Sequence, residues 1–224
     1  MKTKYFFFCV AALLLLILTA MPSYSQIACK DRSATLFVHP EAGYLRTSLI
    51  MSQRTDGARS SAYINGNGAY AGLGLDQLLY ATEAGQVLIS TAILFDWANI
   101  ASTGNHETID WNMYYLSVPL LLKCRLPIQK GSIHIAAGPK LNAGLSSKAN
   151  YISGTEPVRE DLFSTESGMR RIDAQLYLET GFTLLPRLEL KAGYGLGLTN
   201  LTPLYSSRMR HDEFYAGLVV YFNK

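Results

Sequence analysis

From Thr35 to the end of the chain, apolar and polar residues alternate with a period of two, and no stretch holds the 3.6-residue period of an amphipathic helix. The alternation predicts eight strands: Thr35–Arg46, Gly68–Tyr80, Val87–Ile100, Trp111–Arg125, Ser132–Ser146, Arg170–Leu184, Leu188–Leu201 and His211–Phe222. Polar or turn-forming residues separate them. A polar stretch runs from Thr47 to Asn67, a short link covers 81–86, and a loop with Gly104-Asn105 leads to Asp110. A tight connection follows at Pro127–Gly131, then a long polar loop to about Gly168 and a turn at Pro186-Arg187. The last connection carries Pro203 and Ser206-Ser207.

Two regularities turn this pattern into a fold. The segments run about 12 to 15 residues, whereas strands of soluble sheets have a mode of roughly 5–6 residues. A tilted membrane strand needs about 9–11 residues plus overhang. The connections also alternate between long and short, which matches outer-membrane barrels with short periplasmic turns, longer extracellular loops and both termini periplasmic. The expected fold is therefore all-β: a transmembrane antiparallel up-and-down β-barrel of about eight strands, after a cleaved signal peptide.

The strand faces sort accordingly. Tyr114, Leu116, Val118, Leu120 and Leu122 oppose Tyr115, Ser117, Lys123 and Arg125, with Leu121 on the polar side. Ile133, Ile135, Leu141 and Leu145 oppose Ser132, His134, Lys140 and Asn142. Ile172, Leu176, Leu178 and Phe182 oppose Arg171, Asp173, Gln175, Tyr177 and Glu179. Leu190, Tyr194, Leu196 and Leu198 oppose Glu189, Lys191 and three glycines. The third segment fits less cleanly: Val87, Ile89, Ile93, Phe95 and Trp97 share one face, but Leu88 and Leu94 stand beside Ser90 and Asp96 on the other.

A soluble sandwich would also alternate, so the content of the polar face decides. A narrow lumen must nearly neutralise itself, because buried charges need partners. The polar face collects Glu41, Asp76, Asp96, Asp173, Glu179 and Glu189 against Lys123, Arg125, Lys140, Arg171 and Lys191, with His39 and His134 available. This near balance predicts a lumen plugged by ion pairs, as an eight-strand barrel is only wide enough for side chains. Tyr44, Tyr80, Trp97, Trp111, Tyr114 and Tyr205 fall near strand ends, where interfacial girdles form.

The first 25 residues add the cellular context. Lys2 and Lys4 precede an apolar run from Tyr5 to Ala20. Pro22 breaks the run, and Ser23-Tyr24-Ser25 offers small residues before a cut at Gln26. The domains expected are thus 1–25, signal peptide, and 26–224, outer-membrane β-barrel. That segment holds two of the 20 Lys and Arg and none of the 17 Asp and Glu, so the remainder has a net charge of +1. No basic face for nucleic acid follows from such a balance. Lipidation at Cys29 is disfavoured, because Gln26-Ile27-Ala28 lacks the expected Leu. Cys29 and Cys124 are expected near the periplasmic rim as free thiols rather than as a disulfide.

Several short segments then look familiar. Leu116-Ser117-Val118-Pro119-Leu120-Leu121-Leu122-Lys123, Ala137-Gly138-Pro139-Lys140-Leu141, Gly193-Tyr194-Gly195-Leu196-Gly197-Leu198-Thr199-Asn200-Leu201 and Tyr215-Ala216-Gly217-Leu218-Val219-Val220-Tyr221-Phe222 resemble successive strands of the PorT-like outer-membrane barrel proteins of Bacteroidota. The resemblance covers about 110–222. Asn223-Lys224 departs from it by extending past the terminal aromatic. It implies the outer membrane of a diderm bacterium, with envelope or secretion-machinery proteins as partners. The family's export role does not transfer to this chain.

Candidate chemistry is sparse. Gly193-x-Gly195-x-Gly197 lies within a strand and lacks the strand–loop–helix setting of a phosphate loop; glycines there relieve crowding at the barrel wall. His134 with Ser132 falls on the lumen face, while His106 and His211, beside Glu107 and Glu213, read as loop polarity. The four histidines are scattered, and no cysteine pair has ligand spacing. No catalytic, cofactor or metal residue is assigned. The leading reading is a non-enzymatic barrel with a plugged lumen, structural or part of a secretion or envelope complex. The second is surface recognition through the loops Thr47–Asn67 and Ala149–Arg170. A lipid-modifying enzyme comes third.

Overall fold

The computed structural model describes residues 36–55, 58–103, 108–129, 131–153, 156–163, 169–185, 187–202 and 207–222. The expected signal peptide, Cys29, His106 and Tyr205 lie outside these residues. The described chain forms β1 (Leu36–Thr55), β2 (Ala58–Ala81), β3 (Gln86–Thr103), β4 (Thr108–Ile128), β5 (Gly131–Ser153), β6 (Glu156–Asp161), β7 (Ile172–Leu185), β8 (Leu188–Gly197) and β9 (Ser207–Val220). Every pairing is antiparallel. Neighbouring strands pair in chain order, except that β5 pairs with β7, and β1 with β9 completes a ring of eight. The short β6 folds back on the end of β5, outside the ring. Closure leaves no sheet edge at the level of the ring, the condition for a β-structure to cross a membrane.

The period-two pattern sets which face each side chain takes. Leu73, Phe95, Leu122, Ile135, Leu178, Leu198 and Leu218 all stand exposed on the outside, a band of apolar surface that a soluble barrel would not carry. Leu88 and Leu94, the misfits of the third segment, are buried inside. They pack in the interior next to its polar groups. At the Tyr114/Tyr115 register shift, β5 gains one residue relative to β4. This bulge keeps both Asn142 and Ser147 on the buried side.

Several strands outrun their sequence-based ends. Thr47–Asn67 is not a loop: Thr47 pairs with Gly66, and the ladder continues to Thr55 and Ala58. The stretch is polar because its outer face meets water, yet its inner face still buries Leu49 and packs Ile64 against the core. Ser48 Oγ donates to Asn65 Oδ1 across the pair at 2.7 Å, and Tyr44 Oη donates to Asn67 Oδ1. The Ala149–Arg170 loop likewise contains the end of β5 and all of β6. Trp111 also departs from the expected girdle. It points inward and donates from Nε1 to Ser147 Oγ at 2.6 Å, whereas Tyr44, Tyr80 and Trp97 are exposed as the girdle requires.

Candidate functional site

The interior of the ring holds the chemistry, arranged in layers. Nearest the short turns, Lys123 Nζ donates to Asp76 Oδ2 (3.2 Å), Glu189 Oε1 (2.9 Å) and Tyr221 Oη (3.1 Å). Arg125 Nη2 joins the same group, reaching Glu189 Oε2 at 3.2 Å and Tyr221 Oη at 2.8 Å. Tyr221 Oη in turn donates to Asp76 Oδ2 at 2.9 Å. One tyrosine just past the end of β9 thereby links β2, β4 and β8. His39 lies beside Asp76, with Nε2 and Oδ1 3.6 Å apart.

The next layer pairs Lys191 with Glu41 and with Glu179 Oε2, the latter at 3.0 Å. Tyr215 Oη donates to the same Glu179 oxygen at 3.1 Å, and the ammonium sits 5.8 Å over the ring of Tyr70 and 5.6 Å over that of Tyr215. His134 lies between two carboxylates: its Nε2 is 3.1 Å from Glu179 Oε1 and its Nδ1 3.3 Å from Glu189 Oε1. Ser132, weighed as a partner of His134, instead bonds Thr183 Oγ1 at 2.8 Å.

Toward the long connections, Lys140 Nζ donates to Asp96 Oδ2 (3.1 Å) and Glu213 Oε2 (2.5 Å), and Ser117 Oγ donates to the same Asp96 oxygen at 2.5 Å. Above them His211 meets Asp173 Oδ2 through Nδ1 at 3.1 Å and Glu213 Oε1 through Nε2 at 3.3 Å. Thr47 Oγ1 lies 2.6 Å from the same Nε2. Hydroxyl, imidazole and carboxylate therefore line up as in a nucleophile relay, but all three residues are at most 1% exposed. Tyr115 stacks on His211 at 5.3 Å, Phe163 meets Tyr115 edge-on at 5.8 Å, and Arg171 lies over Phe163 at 5.6 Å. These rings cover the histidine from the outer end.

The interior differs in membership from the sequence-based set. Arg171 is exposed outside it, while His211 and Glu213 belong to it. The signal for the latter was present: His211, Glu213, Tyr215 and Gly217 continue the inward period of β9. Their position next to a polar connection masked it. The glycines of β8 behave as expected at a crowded wall. A side chain at Gly193 would strike the Tyr215 hydroxyl and the Leu178 carbonyl, and one at Gly195 would strike Gln175. Cys124 is free and half-buried on the outer face. Among the described residues, no three His, Cys, Asp or Glu side chains are gathered as metal ligands.

No curated protein matches the sequence. Among solved structures, the chain is similar to Ail, the attachment invasion locus protein of Yersinia pestis, at 12% identity, covering 84% of this chain and 100% of that one with a TM-score of 0.44. It is also similar to Neisserial surface protein A, at 14% identity, 85% and 99% coverage and a TM-score of 0.42. The outer membrane enzyme PagL shows 12% identity, 78% and 98% coverage and a TM-score of 0.46. The family model of the outer membrane protein beta-barrel domain matches residues 35–202, most of the sequence, and the chain belongs to that family of outer-membrane barrels.

Proposed function

We propose that this protein is a non-enzymatic, non-conducting outer-membrane barrel that displays a recognition surface on the cell exterior. The observation that carries this reading is the length of the β1–β2 hairpin. The pairing of β2 with β3 ends at Asn67 and Asn99, yet β1 and β2 stay paired from Thr47↔Gly66 to Thr55↔Ala58. At about 3.4 Å per residue this extension reaches roughly 30 Å past the last β2–β3 pair. The β5–β6 ladder, from Lys148↔Asp161 to Ser153↔Glu156, extends the same end. Ordered hairpins cost less entropy on binding than loose loops would, which suits them to recognition.

The ion-paired interior supports the absence of conduction, because side chains from every strand of the ring meet across it. Export through a signal peptide over residues 1–25 is part of the same reading, and mass measurement of the purified protein should place its N-terminus at Gln26. A PorT-like role within a secretion or envelope complex is the second reading. It would use the short-turn end, where Leu79, Tyr80, Leu185 and Phe222 form an exposed apolar rim.

Crosslinking on intact cells followed by pull-down separates the two. Partners captured through a photo-crosslinker at Tyr63 support surface recognition. Capture only through Leu185 would replace it with the periplasmic role. Lipid composition unchanged by deletion of the gene supports the non-enzymatic assignment, and an altered lipid A acyl pattern would refute it.

A further inference from the structure

The outward face of the ring changes character where its apolar band ends toward the long connections. On β1 the band runs through Val38 and Ala42 to Tyr44, and on β9 through Val220 and Leu218 to Phe214. Beyond it, Arg46 stands on β1 between the buried Leu45 and Thr47, and Arg208 and Arg210 stand on β9. These strands are neighbours, with Arg46 opposite Phe214, Ile50 opposite Arg210 and Ser52 opposite Arg208. In the other direction, the ladder row that starts at Arg46 continues through Asn67 of β2, Asn99 of β3 and Asn112 of β4. There the charged group is acidic: Asn99 Nδ2 donates to Asp110 Oδ1. On β5, Lys148 lies opposite Asp161 of β6. Among the described residues of this outward level, unbalanced positive charge is thus gathered on the β1–β9 side.

Arg210 is held in a fixed pose. Asp212 faces outward yet is only 1% exposed. It accepts from Arg210 Nη2 at 2.9 Å, Tyr194 Oη at 2.8 Å and the Gly197 N–H at 3.0 Å. Gly197 leaves the arginine stem room against the wall, since a Cβ there would sit 2.8 Å from Arg210 Cγ. The guanidinium therefore lies beside the exposed ring of Tyr194, at the depth where amphipathic aromatics gather in the headgroup region and an outward charge is tolerated. Its Nε has no partner among the described residues. Asp212 neutralises Arg210 alone. Arg46 and Arg208 are exposed, and neither meets a carboxylate of the described residues.

We infer that the β1–β9 wall binds a phosphorylated glycolipid of the outer leaflet, its phosphates on Arg46, Arg208 and Arg210 and its sugar hydroxyls against Ser48 and Ser52. Arginine presents a planar fork of donors that matches phosphate oxygens. The patch is wider than one phosphate. From Phe214, opposite Arg46, to Arg208 is six residues along β9, roughly 20 Å at about 3.4 Å per residue. Within that span Ser48 lies opposite Asp212 and Ser52 opposite Arg208, on the same outward face. Several cations interleaved with hydroxyls fit a sugar headgroup bearing more than one phosphate better than the single phosphate of a phospholipid. The inference rests on the long-connection end facing the cell exterior and is independent of what the hairpin recognises.

The test is native mass spectrometry of the purified protein in dodecyl maltoside, titrated with bisphosphorylated lipid A, with its dephosphorylated form and with phosphatidylglycerol. Bisphosphorylated lipid A should bind most tightly of the three. The double variant Arg46→Gln/Arg208→Gln should bind it about tenfold or more weakly, while leaving the Asp212 contacts intact. A heat-modifiability gel verifies that this variant is folded. Arg46→Lys/Arg208→Lys keeps the charge but loses the fork, and should fall between the two. Lys148→Gln, at an exposed position on β5, should change nothing. Equal binding of the phosphorylated and dephosphorylated lipids would overturn the inference. So would undiminished binding by the folded glutamine variant, or phosphatidylglycerol bound as tightly as lipid A.

Discussion

Tyr177 and Tyr215, from strands on either side of β8, stack across the interior with ring centroids 4.5 Å apart and planes 4° from parallel. Tyr70 then meets Tyr215 edge-on at 5.9 Å. Three aromatic rings from β2, β7 and β9 thus pack together under Lys191 in the middle layer. This packing is possible only because β8 presents Gly193 directly opposite Tyr215 in the ladder.

Replacing Gly193 by Val should therefore be among the most damaging changes in the barrel. The new side chain would collide with the Tyr215 hydroxyl and the backbone carbonyl of Leu178, and overpacking of this kind costs about 1–3 kcal/mol or more. Urea titration in detergent should show a lowered midpoint, and Gly193→Ala should fall between the variant and the original.

The ion network makes a sharper demand. Lys123→Met leaves Asp76 and Glu189 short of their shared ammonium, and removing one partner of a buried pair costs about 3–5 kcal/mol. Pairing it with Glu189→Gln should recover part of the loss. Lys148→Met, at an exposed position, should lie within about 0.5 kcal/mol of the original. Equal effects of the two lysine substitutions would show that the network contributes little.

Depth along the barrel can be read with arginine. Leu178 lies on the outer face of β7 and is 52% exposed, whereas Tyr63 is 67% exposed on the extended hairpin. Leu178→Arg should cost about 2–4 kcal/mol in lipid vesicles, as expected near a bilayer midplane. Tyr63→Arg should cost almost nothing. A large penalty at Tyr63 would place the hairpin inside the membrane and remove it as a recognition surface.

Much of this was legible in the residue pattern. The antiparallel ring, its eight strands and the inward assignment of residues such as Lys123, Lys140, Glu179 and Glu189 all follow from period-two alternation, which the pleat enforces. The extended hairpin was not. Thr47–Asn67 is rich in Ser, Asn and Gly and so reads as loop, whereas its strands are held by backbone pairing and by cross-strand contacts such as Ser48 with Asn65. Arg171 and His211 were misassigned for a related reason. Each falls at the edge of a strand as the residue pattern draws it, but Arg171 precedes β7 and turns out over Phe163, whereas β9 begins earlier, at Ser207, and carries His211 in its inward period. The interior then shifts from near balance to a deficit of positive charge. Residue types alone did not reveal the His211–Asp173–Thr47 contact, because it joins three strands distant in sequence.

The central claim is that side chains close the interior, so the barrel's work is done at its ends. Ion conductance of the purified, heat-modifiable protein in planar lipid bilayers tests it most directly. No current steps are expected across the physiological voltage range, and Lys123→Met or Gly193→Ala should not create them while the barrel stays folded. Stable steps of the size carried by a water-filled porin would contradict the account.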